Sequence, residues 1–294
     1  MVVGKGSDMS GNSKKVWFIT GASSGFGLEI ARNALQRGDL VVATARDPGA
    51  IAAALGAQGN LLAAKLDVTD EAQAVSAAQA AVDRFGRIDV LVNNAGYGLL
   101  AAVEEATSEE VERQFQTNVF GLLKVTRAVL PHLRRAGKGH VINISAIVGY
   151  ASFPGWGVYG ATKFAVEGLT ESLAIELAPL GIFATAVEPG FFRTNFLDGG
   201  SLKRTKNVIG AYAATVGAMR EFATSVNHHQ PGDPKKLAKA VLKLADSAQP
   251  PVRLPLGADT VAKIEEKNRF VEAELAQWRS VALSTNHDDV VTTN

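Results

Sequence analysis

Short apolar runs alternate with segments of helical period along most of this chain, and that alternation limits the fold to few possibilities. The runs are Val16 to Thr20, Leu40 to Ala45, Leu61 to Leu66, Val90 to Val92, Val141 to Ile144 and Phe183 to Val187. Each is short, apolar and rich in strand formers, as a strand buried on both faces requires. Helical patterns lie between them at Leu28–Gln36, Ala72–Phe85 (with Asp70 as its cap) and Val111–Leu133, and a further helix carries Tyr159. Parallel strands need crossover helices, so the pattern predicts a doubly wound parallel α/β sheet.

In such sheets a ligand lies beyond the carboxyl ends of the strands. Gly21, Arg46, Asp67, Asn94, Ser145 and Pro189 all fall at those ends and are expected to line one crevice. The first strand runs into Gly21-Ala22-Ser23-Ser24-Gly25-Phe26-Gly27 and then a helix. Glycines let the backbone turn tightly beside a pyrophosphate, and the helix start offers free N–H groups and a positive dipole end. The second strand ends at Ala45-Arg46. An acidic residue near this point would favour a ribose 2′-hydroxyl, whereas an arginine offers a bidentate fork to a 2′-phosphate. NADP is therefore expected over NAD.

Tyr159 and Lys163 stand one helical turn apart on Val158-Tyr159-Gly160-Ala161-Thr162-Lys163. A free phenol, with a pKa near 10, is a poor acid–base group at neutral pH. A neighbouring ammonium is expected to lower that pKa and make the phenol a usable general acid or base.

Composition narrows the partners. The 294 residues carry a formal net charge of +1, which gives no sign of a nucleic-acid partner. Cysteine is absent, which removes disulfides and thiolate metal sites and fits a cytoplasmic protein. His228-His229 is the only histidine cluster and reads as a solvated loop, so no metal is expected. No apolar run is long enough to span a membrane. Residues 1–14 read as a disordered arm, 15–257 as one catalytic domain, and 258–294 as an amphipathic helix with a frayed tail. Within the domain, 191–233 reads as an insertion that is either a lid over the crevice or a static surface helix, with Val208, Tyr212, Val216, Met219 and Phe222 on one side. Its apolar and aromatic character suits a bulky hydrophobic substrate. The C-terminal stripe of Val261, Ile264, Val271, Leu275, Trp278 and Ala282 is expected to dock on its own domain or, less commonly, to make subunit contacts.

Thr20 to Gly27, Asn93-Asn94-Ala95-Gly96, Asn118, Tyr159-x-x-x-Lys163 and Pro189-Gly190 together resemble the short-chain dehydrogenase/reductase family, over roughly Lys14 to Leu256. Arg46 resembles its NADP-preferring members. Phe164 to Gly168 and the long tail resemble the steroid and retinol dehydrogenase branch. The resemblance implies a Rossmann-type fold and an NADP(H)-dependent ketone reductase or alcohol dehydrogenase, a homodimer or homotetramer acting on a small hydrophobic carbonyl or alcohol. It implies that Gly21, Ser23, Ser24, Gly25, Phe26 and Gly27 hold the phosphates and Asp67-Val68 the adenine. Asn94, Ala95 and Gly96 would pack on the adenosine ribose, and Pro189, Gly190, Phe192 and Thr194 would fix the nicotinamide. Lys163 would bind the nicotinamide ribose and tune Tyr159, and Asn118 would interrupt its helix and hold a water in a proton relay.

One position departs from the family. Its active-site serine lies 13 residues before the tyrosine, which is Ala146 here (159 − 13 = 146). Ser145 is adjacent, but successive strand residues face opposite ways. Losing such a donor costs on the order of 10²–10³ in rate. Ala146 fits either a serine-to-alanine replacement in an otherwise intact site or a natural member with weak or displaced activity. The alternative is an NADP-binding protein with little or no turnover. An epimerase or dehydratase would use the same Tyr and Lys, but the single short insertion suits it less well.

Overall fold

The computed structural model describes residues 14–287 and 290; the expected N-terminal arm and most of the expected frayed tail lie outside the described residues. In chain order the elements are β1 (Val16–Ile19), α1 (Gly25–Gln36), β2 (Leu40–Ala45), α2 (Pro48–Leu55), β3 (Leu61–Lys65), α3 (Glu71–Phe85), β4 (Val90–Asn93), β5 (Gly98–Leu100) and α4 (Ser108–Phe115). A π-helical segment, Gln116–Gly121, leads into α5 (Leu122–Ala136), β6 (Gly139–Ile144), α6 (Gly157–Leu177) and β7 (Ile182–Pro189). The chain then forms β8 (Leu202–Arg204), α7 (Ala218–Ser225), α8 (Pro234–Asp246), β9 (Arg253–Leu256) and α9 (Ala258–Leu283).

Seven strands form one sheet in the order β3-β2-β1-β4-β6-β7-β9. Every neighbouring pair is parallel. Helices cover both faces, which explains why the strands read as unbroken apolar runs instead of alternating ones. Within β1, Trp17 and Ile19 enter the core on the α1 and α8 side, whereas Phe18 enters the core under α3 and α5. The strand order reverses between β1 and β4, and there the crevice opens at the strand carboxyl ends.

Local chemistry sets the helix starts. Asp70 accepts from the Gln73 N–H at 3.1 Å and caps α3 as expected. Asp47 caps α2 through the Gly49 N–H, and Asp233 caps α8 through the Lys235 N–H, each followed by a proline suited to the first turn. Thr107 and Glu110 form a capping box at α4.

Three expectations need correction. The stretch Val111–Leu133 is not one helix: the π segment divides it, and Gly121 there passes so close to Val68 that a Cβ would meet it at 2.7 Å. In the inserted segment the inward face is Val216, Met219 and Ala223, while Val208 and Phe222 are exposed. The π turn at Ala213–Gly217 shifts the helical phase before α7, which an even 3.6 period does not anticipate. Finally, α9 docks only by its first turns. Thr260 is buried, Lys263 lies 5.3 Å over the Phe153 ring and Asn268 accepts from the Tyr150 hydroxyl at 2.5 Å. From Asn268 onward its described residues are exposed, Val271, Leu275 and Trp278 among them, so the stripe beyond Ile264 does not dock on its own domain.

Candidate active site

A cavity of about 510 Å³ occupies the crevice at the strand carboxyl ends. Its wall includes Gly21, Ser23, Ser24, Gly25, Phe26, Arg46, Asp67, Val68, Asn94, Ala95, Gly96, Ser145, Ala146, Tyr159, Lys163, Pro189, Gly190, Phe192 and Thr194. Two residues expected at the site, Gly27 and Asn118, stand behind that wall and shape it.

The glycine turn is built for close approach. Gly21 and Gly25 have φ of 63° and 54°, which favour glycine. A Cβ on Gly27 would meet the Asn94 amide nitrogen at 2.5 Å and the Gly21 carbonyl at 2.6 Å, whereas one on Gly25 would meet nothing. Asn94 fastens the turn, donating its side-chain N–H to the carbonyls of Thr20 and Gly21, both at 3.0 Å. Ser24 precedes α1 without capping it through its side chain. The open face of this cradle, with the free N–H groups of a helix start, suits a phosphate.

At the end of β2, Arg46 is exposed on the cavity rim. The carboxylate of the next residue, Asp47, caps α2 at 2.9 Å. At the end of β3, Asp67 holds its own turn by accepting from the Thr69 N–H and hydroxyl at 2.9 and 2.7 Å.

Tyr159, Lys163 and Asn118 come together across three elements. Lys163 Nζ donates to the Ile144 carbonyl at the end of β6, at 2.7 Å, and lies 5.7 Å from the Tyr159 ring centroid. Asn118, in the π segment, donates to the Tyr97 carbonyl at 2.9 Å and to Thr162 Oγ1 at 3.1 Å, and accepts from the Tyr97 N–H at 3.1 Å. Gly96 lies between them: a Cβ there would be 3.1 Å from Asn118 Oδ1 and 3.9 Å from Lys163 Nζ.

Electrostatics correct the expectation for the phenol. Burial pushes the Tyr159 pKa above its ordinary value instead of below it. The same burial brings Lys163 down to about 8, opposed by the Glu167 carboxylate one turn on. Desolvation disfavours the charged forms of both groups, and the Lys163 ammonium is engaged by the Ile144 carbonyl.

Ser145 is buried, and its Oγ has no partner among the described residues. It lies against Gly149, where a Cβ would meet it at 2.6 Å. Ala146 instead joins the apolar cluster that contains Tyr159, Leu100, Trp156 and Leu197. Several wall residues carry no sequence signal of their own. Trp156 and Phe196 each place a ring 5.7 Å from that of Tyr159, and Phe153, Ile147 and Val148 extend the apolar wall. Gln230 also lines the cavity. His228 Nε2 lies 3.3 Å from Asp198 in an exposed loop.

The short chain dehydrogenase family model matches residues 15–205, about two thirds of the chain. The protein belongs to that family. It is therefore an oxidoreductase. Oxidoreductase BOA17 of Botryotinia fuckeliana is 38% identical over 273 residues, covering 92% of this chain and 99% of that protein. A 3-ketodihydrosphingosine reductase of Bacteroides thetaiotaomicron is 37% identical, covering 83% and 88%. Retinol dehydrogenase 8 of Bos taurus is 37% identical, covering 80% and 79%, in line with the resemblance to the retinol dehydrogenase branch. Among solved structures, a short-chain dehydrogenase from Streptomyces avermitilis is 44% identical with a TM-score of 0.86, covering 94% of this chain and 100% of that one. A Brucella melitensis 3-ketoacyl-(acyl-carrier-protein) reductase complexed with NADH is 29% identical with a TM-score of 0.68, covering 82% and 96%. An alcohol dehydrogenase from Thermococcus sibiricus complexed with 5-hydroxy-NADP is 28% identical with a TM-score of 0.67, covering 83% and 96%. Family members thus bind NAD in some structures and NADP in others. No described helix of this chain is long and apolar enough to cross a membrane.

Proposed function

We propose that this chain is an NADP(H)-dependent reductase that interconverts a bulky hydrophobic ketone or aldehyde and its alcohol. The observation that carries the reading is the position of Tyr159, on a wall shared by the glycine cradle and a patch of aromatic side chains. The cradle of Gly21 to Gly27 fits a pyrophosphate, Arg46 a 2′-phosphate, and Pro189 to Thr194 the nicotinamide end. A reduced nicotinamide bound there supplies the hydride for the carbonyl carbon.

The chain supplies position and a proton. Burial favours the protonated phenol at Tyr159, which is the form that gives a proton to a carbonyl oxygen as negative charge develops on it. Lys163, tied to Ile144, would hold its ammonium near the phenolate left behind and would bind the ribose of the cofactor. Asn118 keeps the π turn open next to Lys163 and supports return of the proton through water. The wall of Trp156, Phe153, Phe196 and Leu197 receives the apolar substrate and excludes water, and 191–233 acts as a lid. At position 146 the methyl group gives the carbonyl oxygen no hydrogen bond. That one feature favours the second reading, an NADP-binding protein with little turnover. We further read the protein as cytoplasmic and homo-oligomeric, in accord with its lack of cysteine and the apolar part of α9 left exposed.

The test is NADPH oxidation over a panel of carbonyls, with Tyr159→Phe as control. Aryl and alicyclic ketones are expected to turn over faster than small polar ketones and sugars, with the rate lost in the variant. Faster turnover of small polar substrates contradicts the substrate class, and NADPH binding without any turnover favours the second reading.

A further inference from the structure

Gln230 is 1% exposed and lies on the cavity wall, and neither its Nε2 nor its Oε1 finds a partner among the described residues. Buried side-chain polar atoms are nearly always hydrogen-bonded, so an amide orphaned at both ends next to a cavity points to a ligand that completes it. The backbone fixes the residue there without using its amide. Arg193 donates from Nε to the Gln230 carbonyl at 3.2 Å and from its backbone N–H to the Gly232 carbonyl at 2.8 Å. Gly232 in turn donates to the Phe191 carbonyl at 3.0 Å. The turn leading in is strained: His228 has a φ of 63°, the only non-glycine residue with positive φ among those described.

These contacts lay Gln230 alongside Phe191 to Arg193, just past the carboxyl end of β7. Phe192 also packs edge-on against Phe26 of the glycine turn, with centroids 5.5 Å apart. Arg46 ends β2, four strands away across the sheet, a span of roughly 19 Å at ordinary strand spacing. If Arg46 marks the adenosine end of the cofactor, Gln230 stands at the other end. A side-chain amide donates and accepts at once, which matches the hydroxyls of a ribose and the carboxamide of a nicotinamide.

We infer that Gln230 binds the nicotinamide half of the cofactor through its side-chain amide. The inference rests on the nicotinamide-cofactor reading above. The experiment measures binding, not turnover: NADPH and adenosine 2′,5′-bisphosphate are titrated against the full chain, Gln230→Ala and Gln230→Met. The bisphosphate lacks the nicotinamide half, and methionine keeps the volume without either hydrogen-bonding group. Both variants are expected to weaken NADPH about tenfold or more, as loss of one good hydrogen bond or more predicts, and to leave the bisphosphate affinity within about twofold. Unchanged NADPH affinity in both variants overturns the inference, and so does a parallel loss of both ligands, which would mark a structural role. Failure of the unaltered chain to bind NADPH removes the cofactor reading and this inference with it.

Discussion

Lys163 reaches from α6 to the last residue of β6, donating from Nζ to the Ile144 carbonyl at 2.7 Å. The bond joins the helix that carries Tyr159 to the strand that leads into Ser145 and Ala146, so one ammonium fixes both sides of the cavity floor. Burial lowers the pKa of that ammonium to about 8. The charged form is thus present below about pH 8 and is lost as pH rises through it. NADPH affinity is expected to fall above that pH, by at most about tenfold per unit. Titrations from pH 7 to 9.5 check this, and Lys163→Met should flatten the profile while weakening binding at pH 7.

Arg46→Ala is expected to weaken NADPH roughly 10–100-fold and to leave NADH nearly unchanged. A charge-assisted hydrogen bond contributes about 1.5–3 kcal/mol, and the carboxylate of Asp47 is engaged at the start of α2. Binding of both cofactors to the unaltered chain and the variant, at one fixed salt concentration, gives the comparison. Equal loss for both would assign Arg46 to another role.

One buried carboxylate ties the inserted segment to the loop before α4. Glu105 is fully buried and accepts from the N–H groups of Ala102 and Ile209 at 2.8 and 2.9 Å, and from Arg220. Its backbone carbonyl accepts from Thr205 Oγ1 at 3.2 Å. Glu105→Ala would leave the backbone-carbonyl bond to Thr205 in place but would remove the acceptors of Ile209 and Arg220, loosening residues 209–220 and with them the inward face of Val216. We expect kcat/KM for bulky ketones to drop on the order of 10²-fold, as misplacement of a substrate wall by about 1 Å does. NADPH affinity should hold, and steady-state kinetics beside a binding titration separate the two effects.

His140, buried in β6 and bonded to Thr185 at 2.9 Å, predicts an acid limit to stability. Burial, and secondarily the charge of Lys15, lowers its pKa from 6.5 to about 4. As pH falls below 6.5 the unfolded chain takes up a proton that the folded chain refuses until about 4. Stability should therefore decline across that window, by up to about 3 kcal/mol from this residue. Denaturant unfolding of His140→Gln at pH 7 and pH 4.5 is expected to show a smaller decline than the unaltered chain.

The sheet was legible because burial on both faces leaves continuous apolar runs, and Asp70 marked a helix start through its capping chemistry. The β5–β8 pair was not, since each strand has only three residues and the partners lie about a hundred positions apart. The meeting of Asn118, Tyr159 and Lys163 came from resemblance, because spacing along the chain shows only that Tyr159 and Lys163 share a helix face. The pKa of Tyr159 departs from the expectation for a physical reason: residue types reveal the ammonium but not the depth of burial, which raises it. Gln230 left no trace, being a lone glutamine in a loop whose burial depends on contacts with Phe191 to Arg193.

The most direct test of the account compares NADPH oxidation by the unaltered chain and by Ala146→Ser on the same bulky ketone. Ser145 faces Gly149, so no side-chain hydroxyl now serves the carbonyl oxygen from position 146. Restoring one is predicted to raise kcat by two to three orders of magnitude, about 2.7–4 kcal/mol of transition-state stabilisation. Equal rates would contradict the account and show that a donor other than the residue at 146 holds the substrate oxygen.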